Sequence, residues 1–288
     1  MPQTINTNLN SLNAQRNLAT SQSALATSMQ RLSSGMRVNS AKDDAAGLAI
    51  AERMQSQVRG MNVAIRNAND GISMAQTAEG AMGKVADSLQ RMRELAVQSA
   101  NGTNSVSDKD SLDLEFGELA KEIQRVLGGT SFNGHEILGA NAGDFVFQVG
   151  ANTNDNDTIT ISTVQLTADG TITDVAGTDN TGAGRASIAG DVDADDIQTV
   201  MDNIDLAINT INTQRATMGA SQSRFDSVIG NLQISVENQS AARSRIMDTD
   251  FAQETANLSR AQILQQAGNA MVAQANQLPQ QVMALLRG

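Results

Sequence analysis

Three aspartates at every second position are the nearest match to a chemical site in this sequence. Asp191, Asp193 and Asp195 match the opening of a calcium-binding loop, in which carboxylates recur at alternate positions. The match fails at the sixth position, where Asp196 replaces the glycine that the sharp turn of such a loop requires. An apolar helical pattern also begins at Ile197, inside the supposed loop. We therefore interpret these aspartates as an acidic helix N-terminus, which the helix dipole favours.

The other candidates for catalysis or metal binding lack a second group to act with. The chain contains no cysteine and a single histidine, His135, which ends a Phe-Asn-Gly-His sequence typical of a turn. Asp155 and Asp157 lie in an acidic stretch with the composition of a hairpin loop. The sequence contains neither a phosphate-binding glycine loop nor a nucleophile-elbow motif. We predict that the protein is not an enzyme and has no catalytic residue, cofactor or metal.

The elements that would position any site are long helices. Apolar residues recur at alternating steps of three and four, with few exceptions, over residues 51–89 and again over residues 197–236. This heptad pattern is typical of helices that pack lengthwise on one another. Prolines occur only at positions 2 and 279, so nothing between them forbids long helices. We predict a mainly α fold, a long antiparallel coiled-coil rod with paired termini.

Three polar residues interrupt these apolar series. Glu79 is the exception in the first series, and Arg215 and Gln222 are the exceptions in the second. A polar residue at a core position can set the register of a coiled coil, as a buried asparagine does. Arg215 and Gln222 could equally extend to solvent, and the sequence leaves both interpretations open.

Between the long helices, the sequence predicts a shorter helix and a small β region. Residues 112–126 repeat the helical spacing after a capping-box pattern at residues 107–110. Residues 145–161 alternate apolar and polar side chains on both sides of a turn-rich stretch, which predicts a β-hairpin. The Asp-Gly pair at 169–170 indicates a second hairpin turn. Residues 174–196 are rich in Gly, Asp and Thr and are predicted to form a loop.

Both ends of the chain carry weaker apolar series, set among Ala, Ser, Asn and Gln. Such segments bury little apolar surface alone and are marginal as isolated helices. We therefore expect them to be disordered in the free chain and to fold only against neighbouring copies. Pro279 is expected to kink or restart the last helix. The residues that we expect in these assembly seams are Leu18, Leu25, Leu32, Leu264, Met271, Leu278, Val282 and Leu285.

Charge is distributed unevenly along the chain. The formal net charge is −11, yet residues 1–42 contain four basic residues and no acidic one. The excess of acid therefore lies in the middle of the chain, where it would repel a phosphate backbone, and we expect no nucleic-acid partner. No stretch approaches the roughly 18 apolar residues of a membrane span, and no cationic start precedes an apolar run. We expect a soluble chain without membrane insertion or a conventional cleaved signal.

Several motifs, occurring in one order, resemble those of the bacterial flagellin family. The resemblance covers about residues 1–140 and 195–288 and corresponds to a short form without large outer domains. The motifs are INTN at 5–8, RLSSG at 31–35, NSAKDDAAGLAIA at 39–51, RNANDGIS at 66–73, QTAEGA at 76–81, RELAVQSAN at 93–101, SRIMDTDFAQE at 244–254 and ILQQAGNAMVAQANQLPQQVMALLR at 263–287.

This resemblance implies a structural subunit that self-assembles into the bacterial flagellar filament used for swimming motility. Residues 1–43 and 251–288 would pair as a coiled-coil inner tube. Residues 44–165 and 195–250 would form a helical domain with a β-hairpin around that tube, and residues 166–194 a short variable insert. Subunits of the family are secreted unfolded through the type III export machinery and are added at the extracellular tip.

The resemblance also implies partners. Other copies of the chain, an export chaperone at the C-terminal segment, the filament cap and hook-associated junction proteins are the partners within the flagellum. In relatives, a host Toll-like receptor of innate immunity also recognises the helical tract after the RNANDGIS motif. The matching receptor-recognition positions in this sequence are Gln90, Arg91, Leu95, Gln98 and Glu115.

Two other functions are compatible with the sequence. A hook–filament junction protein of the same family would share the terminal motifs but would act in few copies. A soluble coiled-coil adaptor or chaperone would have stable helical termini and would not polymerise. Growth of long filaments from purified monomer distinguishes the leading interpretation from both.

Overall fold

The computed structural model describes the backbone of residues 7–287 and the side chains of residues 7–277. Helices account for 73% of the structure, which confirms the prediction of a mainly α fold. The helices of the described residues are α1 (Leu9–Ser34), α2 (Ala45–Ser99), α3 (Val106–Gly129), α4 (Gly170–Ala176), α5 (Ala194–Met247) and α6 (Phe251–Arg287). The strands are β1 (Ser131–Phe132), β2 (His135–Glu136), β3 (Asp144–Gln148) and β4 (Thr158–Ser162).

The chain divides into two compact units. The central unit comprises residues 57–236, and the terminal unit comprises residues 1–56 together with residues 237–288. The boundary between the units falls inside α2 and α5. These two helices are 55 and 54 residues long, and neither is interrupted at the boundary. The predicted long apolar series therefore correspond to two long helices, as the heptad spacing indicated.

In the central unit, α2 and α5 pack against each other in antiparallel directions. Arg93 of α2 pairs with Asp205 of α5, while Glu79, farther toward the start of α2, bonds to Gln222, farther along α5. The close approach of the two helices is clearest at Gly71, where an added Cβ would lie 2.7 Å from the Phe225 ring. Glycine at that position lets the large aromatic side chain fill the space between the helices.

One continuous apolar core fills the central unit. Its largest fully buried side chains include Phe116, Phe225, Met82 and Leu89. Since the chain has no tryptophan or tyrosine and only 6 phenylalanines, methionine and aliphatic side chains supply most of the buried volume. Flexible thioether side chains fill irregular gaps between helices, a role usually shared with aromatic rings.

Two β-hairpins lie in the central unit. The predicted hairpin is confirmed as β3 paired with β4, with Phe145 opposite Ile161. Its β3 strand contacts α2, because the Asn67 side-chain amide donates to the Gln148 carbonyl at 2.9 Å. A second, shorter hairpin joins β1 to β2 through Asn133 and Gly134, both with left-handed backbone angles. This two-residue turn is the one that an Asn-Gly sequence favours.

Three local predictions are wrong. The capping box of α3 is formed by Ser105 and Asp108, two residues before the predicted pair. The Asp-Gly pair does not turn a hairpin, because the Asp169 side chain accepts from the Thr171 amide and caps α4. The predicted loop over 174–196 includes the end of α4 and the start of α5, and it contributes buried apolar residues, including Val175, to the core. Tertiary packing has overridden a locally loop-like composition.

In the terminal unit, α6 continues as a single helix from Phe251 to Arg287, so the predicted restart at Pro279 is wrong. An internal proline removes one backbone hydrogen bond of a helix, and the neighbouring Gln, Leu and Ala residues are strong helix formers that sustain it. Helix α1 ends at Gly35, whose φ of 71° gives the left-handed cap that glycine adopts without strain.

Candidate assembly surface

Helices α1 and α6 of the terminal unit pair in antiparallel directions. Near one end, the Ser11 hydroxyl donates to the Asn276 side-chain oxygen at 2.7 Å. In the middle, Gly268 lies against Leu18, because an added Cβ would be 3.1 Å from a Leu18 methyl carbon. Toward the other end, Arg31 faces Glu254. The two terminal segments are thus held together along their length, as the paired-termini prediction required.

This helix pair buries almost no large apolar side chain. Its fully buried residues, among those whose side chains are described, are small or polar: Ser11, Ser28, Glu254, Ala261 and Ala275. Burial of an alanine contributes far less free energy than burial of leucine or phenylalanine, since the hydrophobic contribution scales with apolar area. The pairing of α1 with α6 therefore receives little hydrophobic stabilisation from within one chain.

Large apolar side chains of the same two helices lie at the surface instead. The predicted seam residues Leu264 and Met271 are 51% and 59% exposed, while Leu18, Leu25 and Leu32 are half-buried. The side chains of Leu278, Val282 and Leu285 lie outside the described residues. Further exposed large apolar residues of α1 and α6 are Leu9, Leu12, Met29, Phe251 and Ile263.

A groove of about 550 Å³ runs between the two helices. Ala14 lines it from α1, and Leu264, Ala267 and Met271 line it from α6. Asparagine, serine and glutamine side chains also line the groove, so its surface is mixed in polarity. Exposed large apolar side chains such as Leu264 and Met271 beside a groove are typical of an interaction site on a protein in water.

A polar pair interrupts this surface. Glu254 is the single acidic residue in residues 251–288, and its side chain is only 7% exposed. Its carboxylate lies 3.9 Å from Arg31 Nη1, at the outer limit of an ion pair. The Arg31 Nε is buried without a hydrogen-bond partner. The Arg31 side chain is 30% exposed, and a partly buried pair at this separation contributes little net stability, because desolvation of Glu254 offsets the attraction.

The central unit carries the residues that the family resemblance assigned to receptor recognition. Gln90, Arg91 and Gln98 are exposed on α2. Arg91 Nε donates to Glu115 on α3 at 2.8 Å, and Arg91 Nη1 donates to Glu94 at 2.9 Å. The hydrogen bond to Glu115, followed by that to Glu94, raises the pKa of the Arg91 guanidinium, which stays charged. These side chains form one polar, charged patch across α2 and α3.

Leu95 does not belong to this patch. Its side chain is fully buried in the core of the central unit, so the prediction that it lies at the recognition surface is wrong for this chain. Leu95 follows the buried residues Leu89 and Met92 at helical steps of three. It therefore continues the core-facing side of α2, and a substitution there would act through packing.

The other sequence candidates occupy structural positions. Asp191, Asp193 and Asp195 lie at or just before the start of α5. His135 begins β2, directly after the Asn-Gly turn. Among residues 7–277, whose side chains are described, no group of three or more acidic or histidine side chains could hold a metal ion. No helix in the described part of the chain is both long and apolar enough to cross a membrane.

Two of the polar exceptions in the helical series meet each other. Gln222 Nε2 donates to Glu79 Oε2 at 2.8 Å, which joins α5 to α2. Of the two interpretations left open for Gln222, the structure selects the contact between helices. Arg215 is half-buried, and its Nε is buried without a hydrogen-bond partner.

One polar cluster was missed entirely. The Asp113 carboxylate on α3 accepts from both terminal nitrogens of Arg185, from the Ser187 hydroxyl and from the Ile188 amide. Gly117 leaves room for the Arg185 guanidinium, since an added Cβ would lie 3.0 Å from its Nε. Burial raises the pKa of Asp113, but the hydrogen bonds from Arg185 and Ile188, with the Arg185 charge, hold it below its ordinary value. Asp113 and Arg185 are 72 residues apart, so no spacing signal could have revealed the pair.

The mainly helical fold, with its paired terminal helices and their exposed apolar side chains, is typical of a helical structural subunit. Comparison with protein families gives the same class. The bacterial flagellin N-terminal helical region matches residues 5–142, and the bacterial flagellin C-terminal helical region matches residues 201–286. The chain belongs to the bacterial flagellin family.

Full-length relatives support this assignment. A flagellin of Halalkalibacterium halodurans is 44% identical over 284 residues, which cover 98% of this chain and 99% of the relative. A flagellin of Xenorhabdus nematophila is 44% identical over 315 aligned positions that cover both chains completely. The flagellar filament 33 kDa core protein of Treponema phagedenis is 40% identical, with 98% of this chain and 99% of the relative covered.

Proposed function

We propose that this flagellin is the structural subunit of a bacterial flagellar filament, assembled by coupled folding and polymerisation. The observation that carries the proposal is the contrast within α1 and α6: among the described side chains, the buried ones are small or polar, while large apolar ones such as Leu264 and Met271 are exposed. Each large apolar side chain that a neighbouring subunit covers contributes on the order of 1 kcal/mol or more. Polymerisation thus supplies the stabilisation that a single chain lacks.

In this proposal, residues 1–43 and 251–288 form the inner tube and are disordered before addition. Residues 44–165 and 195–250 form the surrounding helical domain, and residues 166–194 are a short insert. Subunits leave the cell unfolded through the type III export machinery and are secreted to the extracellular tip of the filament. The family resemblance supports these steps. It also supports an export chaperone on the C-terminal segment, a cap and hook-associated junction proteins as partners, and the absence of enzymatic activity.

Seeded polymerisation tests the filament proposal. Purified full-length monomer, mixed with short fragments of its own filaments, should grow filaments that negative-stain electron microscopy shows as long and regular. Seeds without monomer are the control for fragment annealing. A hook–filament junction protein or a soluble adaptor would leave the seeds at their starting length, and that result would contradict the proposal.

We also propose that the patch of Gln90, Arg91, Gln98 and Glu115 is the site that a host Toll-like receptor recognises. Charged side chains in a fixed geometry are suited to specific recognition by a complementary surface, and Arg91 is held by two carboxylates. The double variant Arg91→Ala, Glu115→Ala should lower receptor activation by about tenfold or more while filament growth stays unchanged. The exposed Arg125–Glu122 ion pair of α3 provides the matched control. Full activation by the patch variant would refute the assignment.

A further inference from the structure

The methionines of this chain differ in exposure between its two units. Those of the central unit are all buried or half-buried: Met61, Met74, Met82, Met92, Met201 and Met218. The oxidation of a methionine depends on the access of a dissolved oxidant to its sulfur, so it follows the exposure of the side chain. A folded central unit therefore protects its own methionines.

The two terminal helices carry exposed methionines instead. Met29 of α1 and Met271 of α6 are 57% and 59% exposed, and among the side chains that the structure describes they are the two exposed methionines. Disorder of these segments before addition, which the proposed function includes, would open the same sulfur atoms further. Both thioethers are therefore accessible to small solutes in the free subunit, whether or not the helices have formed.

Both methionines lie on surface that neighbouring subunits are proposed to cover. Met271 lines the groove of about 550 Å³ between α1 and α6, together with Leu264. Met29 follows Leu25 by four residues and precedes Leu32 by three, so it lies on the same side of α1 as these two predicted seam residues. A chemical change at either sulfur would thus alter the assembly surface.

We propose that Met29 and Met271 are modification sites at which hydrogen peroxide oxidises the free subunit and prevents its assembly. A sulfur lone pair attacks one peroxide oxygen, the O–O bond breaks and a sulfur–oxygen bond forms. The sulfur is oxidised to the sulfoxide and the peroxide is reduced, because its second oxygen leaves with both protons as water. The proposal rests on coupled folding and assembly as the function of the terminal helices.

The sulfoxide acts through its polarity. Oxidation converts a flexible apolar side chain into a polar one whose oxygen accepts hydrogen bonds from water. Covering that oxygen with a neighbouring subunit removes those hydrogen bonds, at the cost of burying an unpaired polar group. Once neighbours cover the unmodified side chains, the same contacts exclude peroxide. Oxidation therefore acts before a subunit is added and spares subunits already in the filament.

Peptide mapping by mass spectrometry tests the selectivity. Free monomer and filaments receive the same dose of hydrogen peroxide, which catalase then removes, and circular dichroism verifies that the central unit stays folded. In the monomer, Met29 and Met271 should gain oxygen about tenfold or more faster than Met74 and Met92. In filaments, oxidation of Met29 and Met271 should slow by a similar factor. Equal rates for the two pairs in the monomer, or for Met29 and Met271 in monomer and filament, would overturn the proposal.

Seeded elongation tests the consequence for assembly. Oxidised monomer, mixed with seeds that have not been oxidised, should elongate them at about a tenth or less of the rate of untreated monomer. Methionine sulfoxide reductases specific for both sulfoxide epimers, with dithiothreitol as the reductant, should restore growth. Normal growth of monomer whose two terminal methionines are shown by mapping to be oxidised would overturn the proposal.

Leucine variants assign the effect to these two residues. Met29→Leu with Met271→Leu keeps apolar side chains of similar volume but cannot form a sulfoxide, so it should elongate seeds normally before and after peroxide. Met61→Leu with Met201→Leu, in the central unit, is the matched control and should remain sensitive. Loss of growth in the peroxide-treated terminal variant would overturn the assignment. Failure of untreated, unmodified chain to elongate seeds would instead contradict the filament function, which the mapping of monomer does not require.

Discussion

The terminal and central units are built from the same kind of helix but differ in what they bury. The central unit encloses large side chains such as Phe116, Phe225 and Met82 within one chain. Helices α1 and α6 have apolar residues at similar spacing, yet the buried residues among their described side chains are small or polar, and Leu264 and Met271 are exposed. The spacing of apolar residues therefore identifies the face of a helix that is to be covered. It does not say whether the cover comes from the same chain.

The two units also differ in how they hold irregular segments. In the central unit, buried polar contacts attach the segment after α4 to the helices. The Gln124 side chain donates to the Gly177 carbonyl, and the Ser99 hydroxyl donates to the Ile188 carbonyl. In the terminal unit, the described hydrogen bonds between segments distant in sequence are concentrated where residues 35–38 meet residues 246–249 and near Ser11. A unit with a complete core can fix its loops, whereas a unit without one depends on a few anchors.

Truncation should give the largest effect. A chain that begins at residue 33, or one that ends at residue 263, should form no filaments, because each loses a terminal helix face that neighbours must cover. Residues 44–250 should stay folded in both, with a thermal transition by circular dichroism close to that of the full chain. Normal filaments from either truncated chain, seen by electron microscopy, would remove the distinction between the two units.

Two phenylalanines, one in each unit, provide a matched comparison. Phe225 is fully buried against Gly71 and makes an edge-to-face contact with Phe147, with ring centroids 5.6 Å apart. Phe225→Ala should lower the free energy of unfolding of the monomer by about 3–5 kcal/mol. Phe251→Ala, at a side chain that is 57% exposed, should lower it by less than about 0.5 kcal/mol but should slow filament growth. Denaturant unfolding of the monomer measures the change in stability, and seeded elongation measures the change in growth. Similar losses of unfolding free energy in the two variants would contradict the comparison.

The Asp113 cluster gives the central unit a pH dependence. Because hydrogen bonds and the Arg185 charge hold the pKa of the folded carboxyl below its ordinary value, the unfolded chain binds the proton more readily. The cluster therefore stabilises the fold above the ordinary aspartate pKa, and this contribution is lost as pH falls through the lower, folded value. Asp113→Asn should cost about 1–3 kcal/mol near neutral pH.

In Asp113→Asn, thermal stability should decline less steeply as the pH falls from about pH 5 to pH 2. Asp87→Asn, at an exposed carboxylate paired loosely with Lys84, is the control and should keep the decline of the unmodified chain. If the melting temperature of Asp113→Asn falls with pH as steeply as that of the control, the cluster does not supply this pH dependence.

The smallest effect is expected where polar residues pair across the long helices. Removing either Glu79 or Gln222 alone leaves its partner half-buried without the 2.8 Å hydrogen bond, at a cost of about 1 kcal/mol. Replacing both with leucine should be close to neutral, because two apolar side chains remove the unsatisfied group. A double-mutant cycle of unfolding free energies measures the coupling, and strictly additive losses would contradict a direct interaction.

The sequence predicted the elements that depend on long periodic patterns. Helices α2 and α5 were predictable because the apolar spacing persists over many turns, and the β3–β4 hairpin because Phe145 and Ile161 lie in alternating runs. Helix α4 was not predictable, since its Thr, Asp and Gly composition favours a turn and only tertiary contacts bury Ile172 and Val175.

The candidate sites were predictable to different degrees. The exposed seam of α6 followed from composition, because Leu264 and Met271 are set among small and polar residues that cannot cover them. The burial of Leu95 follows from the apolar series of α2 once that series is continued beyond Leu89. The backbone bridge between residues 35–38 and 246–249 carries no sequence signal, because it joins groups of Gly35 and Thr249, which are more than 200 residues apart.

Hydrogen exchange of backbone amides, measured on monomer and on filaments of the same chain, shows whether the terminal helices fold only on assembly. Amides of residues 9–34 and 251–277 should exchange rapidly in the monomer and become protected in the filament. Amides of α2 between residues 68 and 96 should be protected in both. Strong protection of both terminal helices in the isolated monomer would contradict folding on assembly.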